Sequence, residues 1–239
     1  MTKLHRKELK HDEVRDRVAD AVKNVKLHGR EVVYIILIVV AVAGIALAWY
    51  FYEQNQQENA QSLLGQAMEK FNSPVLEKID PNIPKPTYNF SSDTQKYTDA
   101  RKDFESVFSK YGNTPAADMA RYMAGICSFY LKDNAKAEDY LKQSSKISDR
   151  NILYYQSRIA LADLYSKTKR YDDATKVLNE ALNRPKPQVP LEFVMMQLAD
   201  NYDKAGKKKE ARDTYQKIAN DYKDSAAGFQ AQQKLNQVQ

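Results

Sequence analysis

Residues 161–178 read LADLYSKTKRYDDATKVL, and residues 198–215 read LADNYDKAGKKKEARDTY. The two segments begin 37 residues apart, and a third, AGICSFYLKDNAKAEDYL at 124–141, begins 37 before the first. Small residues recur at Gly125, Ala162 and Ala199, and again at Ala137, Ala174 and Ala211. Four residues after the second small position comes a bulky one: Leu141, Leu178 and Tyr215. Ala100 and Phe104 continue this phase one period upstream. Small residues let two helices approach closely, and a large side chain one turn later fills the gap beside them. Between the small positions lie the breaks Lys132-Asp133-Asn134, Lys169-Arg170-Tyr171 and Gly206-Lys207-Lys208. Each period therefore encodes a helix, a tight turn and a second helix. Such a unit cannot bury its apolar face alone, so neighbours must stack. The expected fold class is all-α, with an α-solenoid after residue 53.

These units resemble the tetratricopeptide repeat, whose pattern is Leu-Gly/Ala-x-x-Tyr on the first helix and Ala-x-x-x-Phe on the second. Leu161-Ala162-x-x-Tyr165 with Ala174-x-x-x-Leu178 matches it, as does Leu198-Ala199-x-x-Tyr202 with Ala211-x-x-x-Tyr215. The unit at Ala124-Gly125 carries Ser128 where the Tyr belongs. The first and second small residues are 12 apart in all three. The period exceeds the usual repeat by about three residues, and these fall between units, as in the connection Arg184–Pro190.

The second helix at Ala100–Phe104 needs a first helix near residue 88, but Pro81, Pro84 and Pro86 cannot be helix interior. The missing helix is expected at Glu53–Phe71, with Leu64-Gly65-x-x-Met68 as its close-packing turn. A Pro-rich insertion at 72–93 then separates it from its partner. Residues 225–237 are Gln-rich, with Phe229 and Leu235, and read as the polar-faced capping helix that such an array needs.

Val32 to Tyr52 contains no charge and is flanked by Glu31 and Glu53. A helix of that length spans roughly 30 Å, the thickness of a bilayer's hydrocarbon core. Tyr34 at one end and Trp49, Tyr50 and Tyr52 at the other are placed like an aromatic belt. Residues 1–31 carry nine Lys and Arg, whereas the first basic residue beyond the span is Lys70. The positive-inside rule then puts the N-terminal tail (1–31) in the cytoplasm and residues 53–239 across the membrane. Ala46-Leu47-Ala48 has the shape of a signal-peptidase site. However, the long leader and the apolar run continuing past it favour an uncleaved anchor at 32–52 that leads directly into the first solenoid helix. In the tail, Val14, Val18, Val22 and Val25 recur at helical spacing. They fit either an amphipathic helix on anionic headgroups or a short solvated helix.

Composition narrows the function further. With 37 Lys+Arg against 31 Asp+Glu in 239 residues, the net charge of +6 is too thin for a nucleic-acid scaffold. The single Cys excludes an intrachain disulfide or a multi-Cys metal site, and all three His precede residue 29. No HExxH, CxxC, phosphate-binding Gly loop or GxSxG elbow is present. No enzyme activity, metal or cofactor is expected. Cys127 reads as a small buried hydrophobe, Asp163 and Asp200 as helix-surface positions, and the Lys204–Arg212 cluster as a solvated turn. Asn89-Phe90-Ser91 fits a glycosylation sequon that also arises by chance.

In tetratricopeptide proteins the concave groove is faced by positions two, five, nine, twelve and thirteen of a unit. The resemblance places Met119, Tyr122, Ile126, Phe129 and Tyr130 there, then Gln156, Ile159, Asp163, Ser166 and Lys167, then Phe193, Met196, Asp200, Asp203 and Lys204. The apolar members, Met119, Tyr122, Ile126, Phe129, Tyr130, Phe193 and Met196, are the expected partner-binding residues. The strip they form is either open to flexible polypeptide or covered by the 72–93 insertion through Tyr88 and Phe90.

The layout of tail, single span and repeat domain is similar to the YfgM family of bacterial inner-membrane proteins, ancillary subunits of the SecYEG translocon. That resemblance implies a periplasmic repeat domain and partnership with the membrane-anchored chaperone PpiD on emerging proteins. It points to a non-catalytic adaptor. The rival reading is a scaffold of another envelope complex, in outer-membrane assembly, cell division, secretion or pilus assembly. An enzyme-regulating subunit is the third, with no residue to support catalysis.

Overall fold

The computed structural model describes residues 29–76, 86–146, 152–184 and 189–237, together with Arg17 and Pro187. The valine stripe from Val14 to Val25 lies outside them. The described residues form nine α-helices: α1 (Gly29–Asn72), α2 (Asp93–Lys110), α3 (Pro115–Tyr130), α4 (Asn134–Ser144), α5 (Ile152–Lys167), α6 (Tyr171–Leu182), α7 (Leu191–Lys204), α8 (Lys208–Asp221) and α9 (Ala226–Leu235). Among the described residues the β structure is a single isolated bridge between Val75 and Phe90.

Two compact units divide the chain at Asn55/Gln56. In the first, α1 is long and apolar enough to cross a membrane, and none of its apolar window is buried.

The second unit begins with the end of α1 and continues as helix pairs α3/α4, α5/α6 and α7/α8, with α2 preceding them and α9 closing the array. Local chemistry sets the boundaries. Ser92, Thr114, Asp133 and Ser225 each cap a helix by accepting a backbone N–H three residues on, and Pro115 occupies the first turn of α3. The first helices of three successive pairs stop in the same way. Lys132, Lys169 and Gly206, each 37 apart, take a left-handed conformation (φ 60°, 61° and 75°). The next residue's N–H then reaches back to Ser128, Tyr165 and Tyr202, a Schellman closure.

The sequence period lies in the core. Ala100, Ala137, Ala174 and Ala211 are fully buried, and Phe104, Leu141, Leu178 and Tyr215 are buried beside them. Burying each large side chain contributes about 1.5–3 kcal/mol. A Cβ on Gly125 would meet Leu141 Cγ at 2.8 Å, so this is the close approach of α3 and α4. Leu63, Leu64, Met68 and Phe71, on α1 beyond Gln56, pack with Phe104 and Val107, and Ala60 and Ala67 are buried in the same cluster. This stretch is the first helix that the Pro-rich segment could not supply. Besides packing on its sequence neighbours, each of α3, α5 and α7 packs on the first helix of the next pair, the last of these being α9. The second helices α4, α6 and α8 do not meet one another among the described residues. First helices therefore form the inner layer and second helices the outer one, with α9 in place of a further first helix.

Polar contacts between units follow the same period with reversed sign. Arg101, one residue after Ala100, donates to Asp133 in the next unit's turn at 3.0 Å. Glu138, one residue after Ala137, accepts from Arg170 in the following turn at 2.6 Å. At the third interface the buried Asn201 accepts from Ser166 and donates to Tyr171 O and Thr175 Oγ1, while Lys207 pairs with Asp172. Glu138 also accepts from Lys142 and from the Tyr165 hydroxyl. Burial alone would raise its carboxyl, but the hydrogen bonds from Arg170, Lys142 and Tyr165 outweigh that and hold it at about 2.

Three substitutions test these features by urea denaturation. Gly228→Ala drives a Cβ into the Tyr222 carbonyl, so it should dislodge α9 and cost about 2 kcal/mol or more. Lys169→Gly, at a left-handed position, should stabilise by about 0.5–1 kcal/mol. Glu138→Gln should cost about 1–2 kcal/mol at pH 7. A depressed folded pKa gives stability above the ordinary value of 4.5 and loses it on acidification. The gap between native protein and the Glu138→Gln variant should therefore close between about pH 4.5 and 2.

Candidate functional site

Because first helices form the inner layer, their inward residues create a cleft across α3, α5 and α7. The cleft measures about 510 Å³ and is lined by Tyr122, Gln156, Ile159, Asp163, Asp200 and Lys204, with Ala160 and Gln197 between them. The first six are groove positions expected from the sequence. Ala160 and Gln197 were missed, although they too stand 37 apart. Every third or fourth residue of a helix shares a face, which is why the inner positions return at this spacing.

The cleft walls are polar and partly anchored. Asp163 pairs with Lys167 at 3.2 Å. Asp200 accepts from the Tyr215 hydroxyl at 2.5 Å and pairs with Lys234 of α9 at 3.5 Å. Burial and the adjacent Asp200 together raise the Tyr215 phenol well above its ordinary value, so it stays a donor. Lys204 lines the cleft and makes no ion pair among the described residues. The Gln156 and Gln197 amides supply both donors and acceptors, the complement an extended peptide backbone needs.

The apolar strip at the other end of the groove, expected to be either open or covered by the insertion, is largely packed between units. Met119 and Tyr122 pack against the core cluster of α1–α3, and Tyr122, Ile126 and Phe129 against that of α4–α7. These side chains fill the join between units, so most of the strip is packing. Tyr122 is half-buried, and its phenol pKa is raised by that burial. Phe129 carries the Lys167 ammonium 4.5 Å from its ring centroid. Tyr130 is 55% exposed yet stacked on Tyr97 at 4.5 Å, beside Phe71. Phe193 is 54% exposed. Met196 is turned inward: it is buried in the cluster of Ala199, Ala211 and Tyr215 and offers no groove surface. Of the insertion, Phe90 is buried, Leu76 N–H donates to Phe90 O, and Tyr88 lies under Lys70. Residues 77–85 lie outside the described residues.

Cys127 is fully buried on α3, and burial pushes its thiol up to about 12. Among the described residues no three His, Cys, Asp or Glu side chains gather to hold a metal ion.

The sequence family described as a tetratricopeptide repeat-like domain matches residues 28–239. No curated relative matches the chain. A crystal structure of nearly identical TPR-like repeats, from what is described as a kinesin light chain of Podospora anserina, aligns with a TM-score of 0.55 at 12% identity. It covers 76% of this chain and 85% of its own. At that identity the likeness concerns the fold alone.

The thiol provides a check on the packing around the groove. Cys127 should resist a thiol reagent such as dithionitrobenzoate in the folded chain, with labelling slowed at least a hundredfold relative to the urea-unfolded chain.

Proposed function

Since the chain belongs to the tetratricopeptide repeat-like domain family, we propose that it is a non-catalytic, membrane-anchored adaptor that binds protein partners through the inner face of its solenoid. The observation that carries this is the cleft across α3, α5 and α7, where Tyr122 and Ile159 offer apolar contact and Gln156, Gln197, Asp163, Asp200 and Lys204 offer polar contact. A peptide laid across three parallel helices meets equivalent positions of successive units, so affinity accumulates along the groove. The Val32–Tyr52 segment is the anchor. The excess of Lys and Arg before it supports an N-terminus in the cytoplasm and a repeat domain on the periplasmic side of a bacterial inner membrane.

The layout similar to the YfgM family supports the finer reading: the anchor contacts the SecYEG translocon from the side, and the groove holds PpiD or an emerging client. In this reading Met119, Ile126, Phe129 and Tyr130 shape the apolar end of the groove, Phe193 adds an exposed apolar contact, and the direct contacts fall on Tyr122, Gln156, Ile159, Asp163, Asp200 and Lys204. Met196 drops out, being a core residue.

Photo-crosslinkers at Ala41, Gly44 and Ala48 of the span and at Tyr122, Gln156 and Lys204 of the groove test both halves in intact membranes. The expected result is translocon subunits from the span positions and a chaperone or secreted clients from the groove positions. One unrelated envelope complex captured from both sets would replace the translocon reading with the scaffold reading. Crosslinks absent from all three groove positions would refute the groove.

A further inference from the structure

On the side of α7 away from the inner cleft, a furrow of about 580 Å³ runs between α6 and α8. Its floor is apolar, made by Leu182 of α6 and by Leu191, Met195 and Leu198 of α7. Leu182 and Leu191 are half-buried, so part of that floor is open to solvent. The two clefts use opposite sides of α7: Gln197, Asp200 and Lys204 line the inner one, while Leu191, Met195 and Leu198 line this one. The rim is polar, with the Asn179 and Asn183 amides on α6 and Asp213, Lys217 and Asp221 on α8.

Asp213 and Asp221 are exposed, and neither carboxylate makes an ion pair among the described residues. Lys217 stands one turn from each on the same helix, yet it pairs with neither. The furrow thus sets two carboxylates against one ammonium. Asp221 is also badly placed for its own helix. It is the last residue of α8, whose last turn holds no basic residue. The end of a helix is its negative pole and favours cations, so a carboxylate there is locally unfavourable. A residue that breaks a local rule with no internal partner points to a demand from outside the fold.

The spacing of the two carboxylates defines what fits. Asp213 and Asp221 are eight residues apart on one helix, about 12 Å along its axis. An extended chain advances about 3.3 Å per residue and returns every second side chain to the same side. Its residues i and i+4 therefore match the two carboxylates. Residue i+2 falls opposite Lys217, where a cation would be repelled. Residues i+1 and i+3 turn the other way, over Leu182 and Leu191, and the Asn179 and Asn183 amides are within the same furrow to meet the peptide backbone. A simple cation uses neither the spacing nor the floor.

We infer that this furrow is a docking site for an extended basic polypeptide segment of the pattern cation, apolar, polar, apolar, cation. Its cations pair with Asp213 and Asp221, and its apolar side chains lie on Leu182 and Leu191. Charge complementarity selects the sign of the partner, and the apolar floor selects polypeptide over a bare ion. None of the inner-cleft residues takes part, so the site stands or falls independently of the groove. Both carboxylates are exposed, so the attraction weakens as salt rises.

The test uses the full chain in nanodiscs of zwitterionic lipid and a fluorescent acetyl-Lys-Leu-Ser-Leu-Lys peptide, read by anisotropy against empty nanodiscs. Two counterparts accompany it: acetyl-Glu-Leu-Ser-Leu-Glu, with reversed charge, and acetyl-Leu-Ser-Lys-Lys-Leu, the same composition with its cations adjacent. The first peptide should bind about tenfold more tightly than either. Asp213→Asn combined with Asp221→Asn should weaken it about tenfold, and Asp163→Asn in the inner cleft should leave it unchanged. Asp221→Asn alone should hold or raise the thermal midpoint, because it relieves the helix end, whereas a carboxylate kept for the fold would lower it on removal. A lowered midpoint, equal binding of the adjacent-cation isomer, preference for the acidic peptide, a loss caused by Asp163→Asn in place of the α8 pair, or no binding at millimolar peptide would each overturn the proposal.

Discussion

Each helix pair in this protein has apolar surface on two sides and can cover only one of them by itself. Everything else in the solenoid follows from the need to cover the second. Tyr122 packs against two core clusters at once, and Leu182 and Tyr202 do the same further along, so the three clusters are one continuous core. At the start of the array the cover is the part of α1 beyond Gln56, and at the end it is α9. The fit of α9 depends on Gly228, whose missing side chain lets the helix rest against the Tyr222 carbonyl. The exposed side of α9 carries Gln230, Gln232 and Gln233, with Phe229 left 66% exposed among them.

Apolar burial explains why units stack but not why they stack in this order, since every interface buries similar side chains. The polar contacts distinguish them. Arg101 meets Asp133 at one interface and Glu138 meets Arg170 at the equivalent place in the next. Stacking the Arg101 helix on the turn one unit further along would put Arg101 against Arg170, like against like. Partly exposed ion pairs add little net stability, yet placing equal charges together carries a definite penalty. The third interface relies instead on Asn201, a buried amide fully occupied by Ser166, Tyr171 and Thr175. Such a group tolerates no slip, because any displacement leaves it desolvated and unpaired. Separate devices at successive joins give each neighbour one partner.

The inner and outer surfaces divide along the same logic. First helices touch their counterparts in the next unit, so their inward residues converge into the mixed polar cleft from Tyr122 to Lys204. A second recess opens between α5 and α6, where Arg158, Lys176 and Arg184 gather.

The sequence by itself determined the unit length, the close-packing pairs such as Gly125 with Leu141, the displaced first helix before the Pro-rich segment and the apolar segment able to cross a membrane. These depend on near-neighbour spacing and uninterrupted composition, which a one-dimensional pattern carries in full. Six of the eight cleft residues were also readable, through the tetratricopeptide resemblance that assigns certain positions of each unit to the groove. Phase does not report how far each helix is rotated or what its neighbour contributes. For that reason Met196 is core, and Met119, Ile126 and Phe129 fill joins between units instead of an open strip. The charge-reversed ladder of Arg101 and Glu138 was visible in principle at its 37-residue spacing, but its partners lie 32 residues on, in a different element. Only the tertiary structure decided the pairing of those charges, and only it brought Tyr154, Arg158 and Lys176 around one cleft. Contacts of that kind are fixed by the packing angle between helices, a property of the whole stack that no single segment encodes.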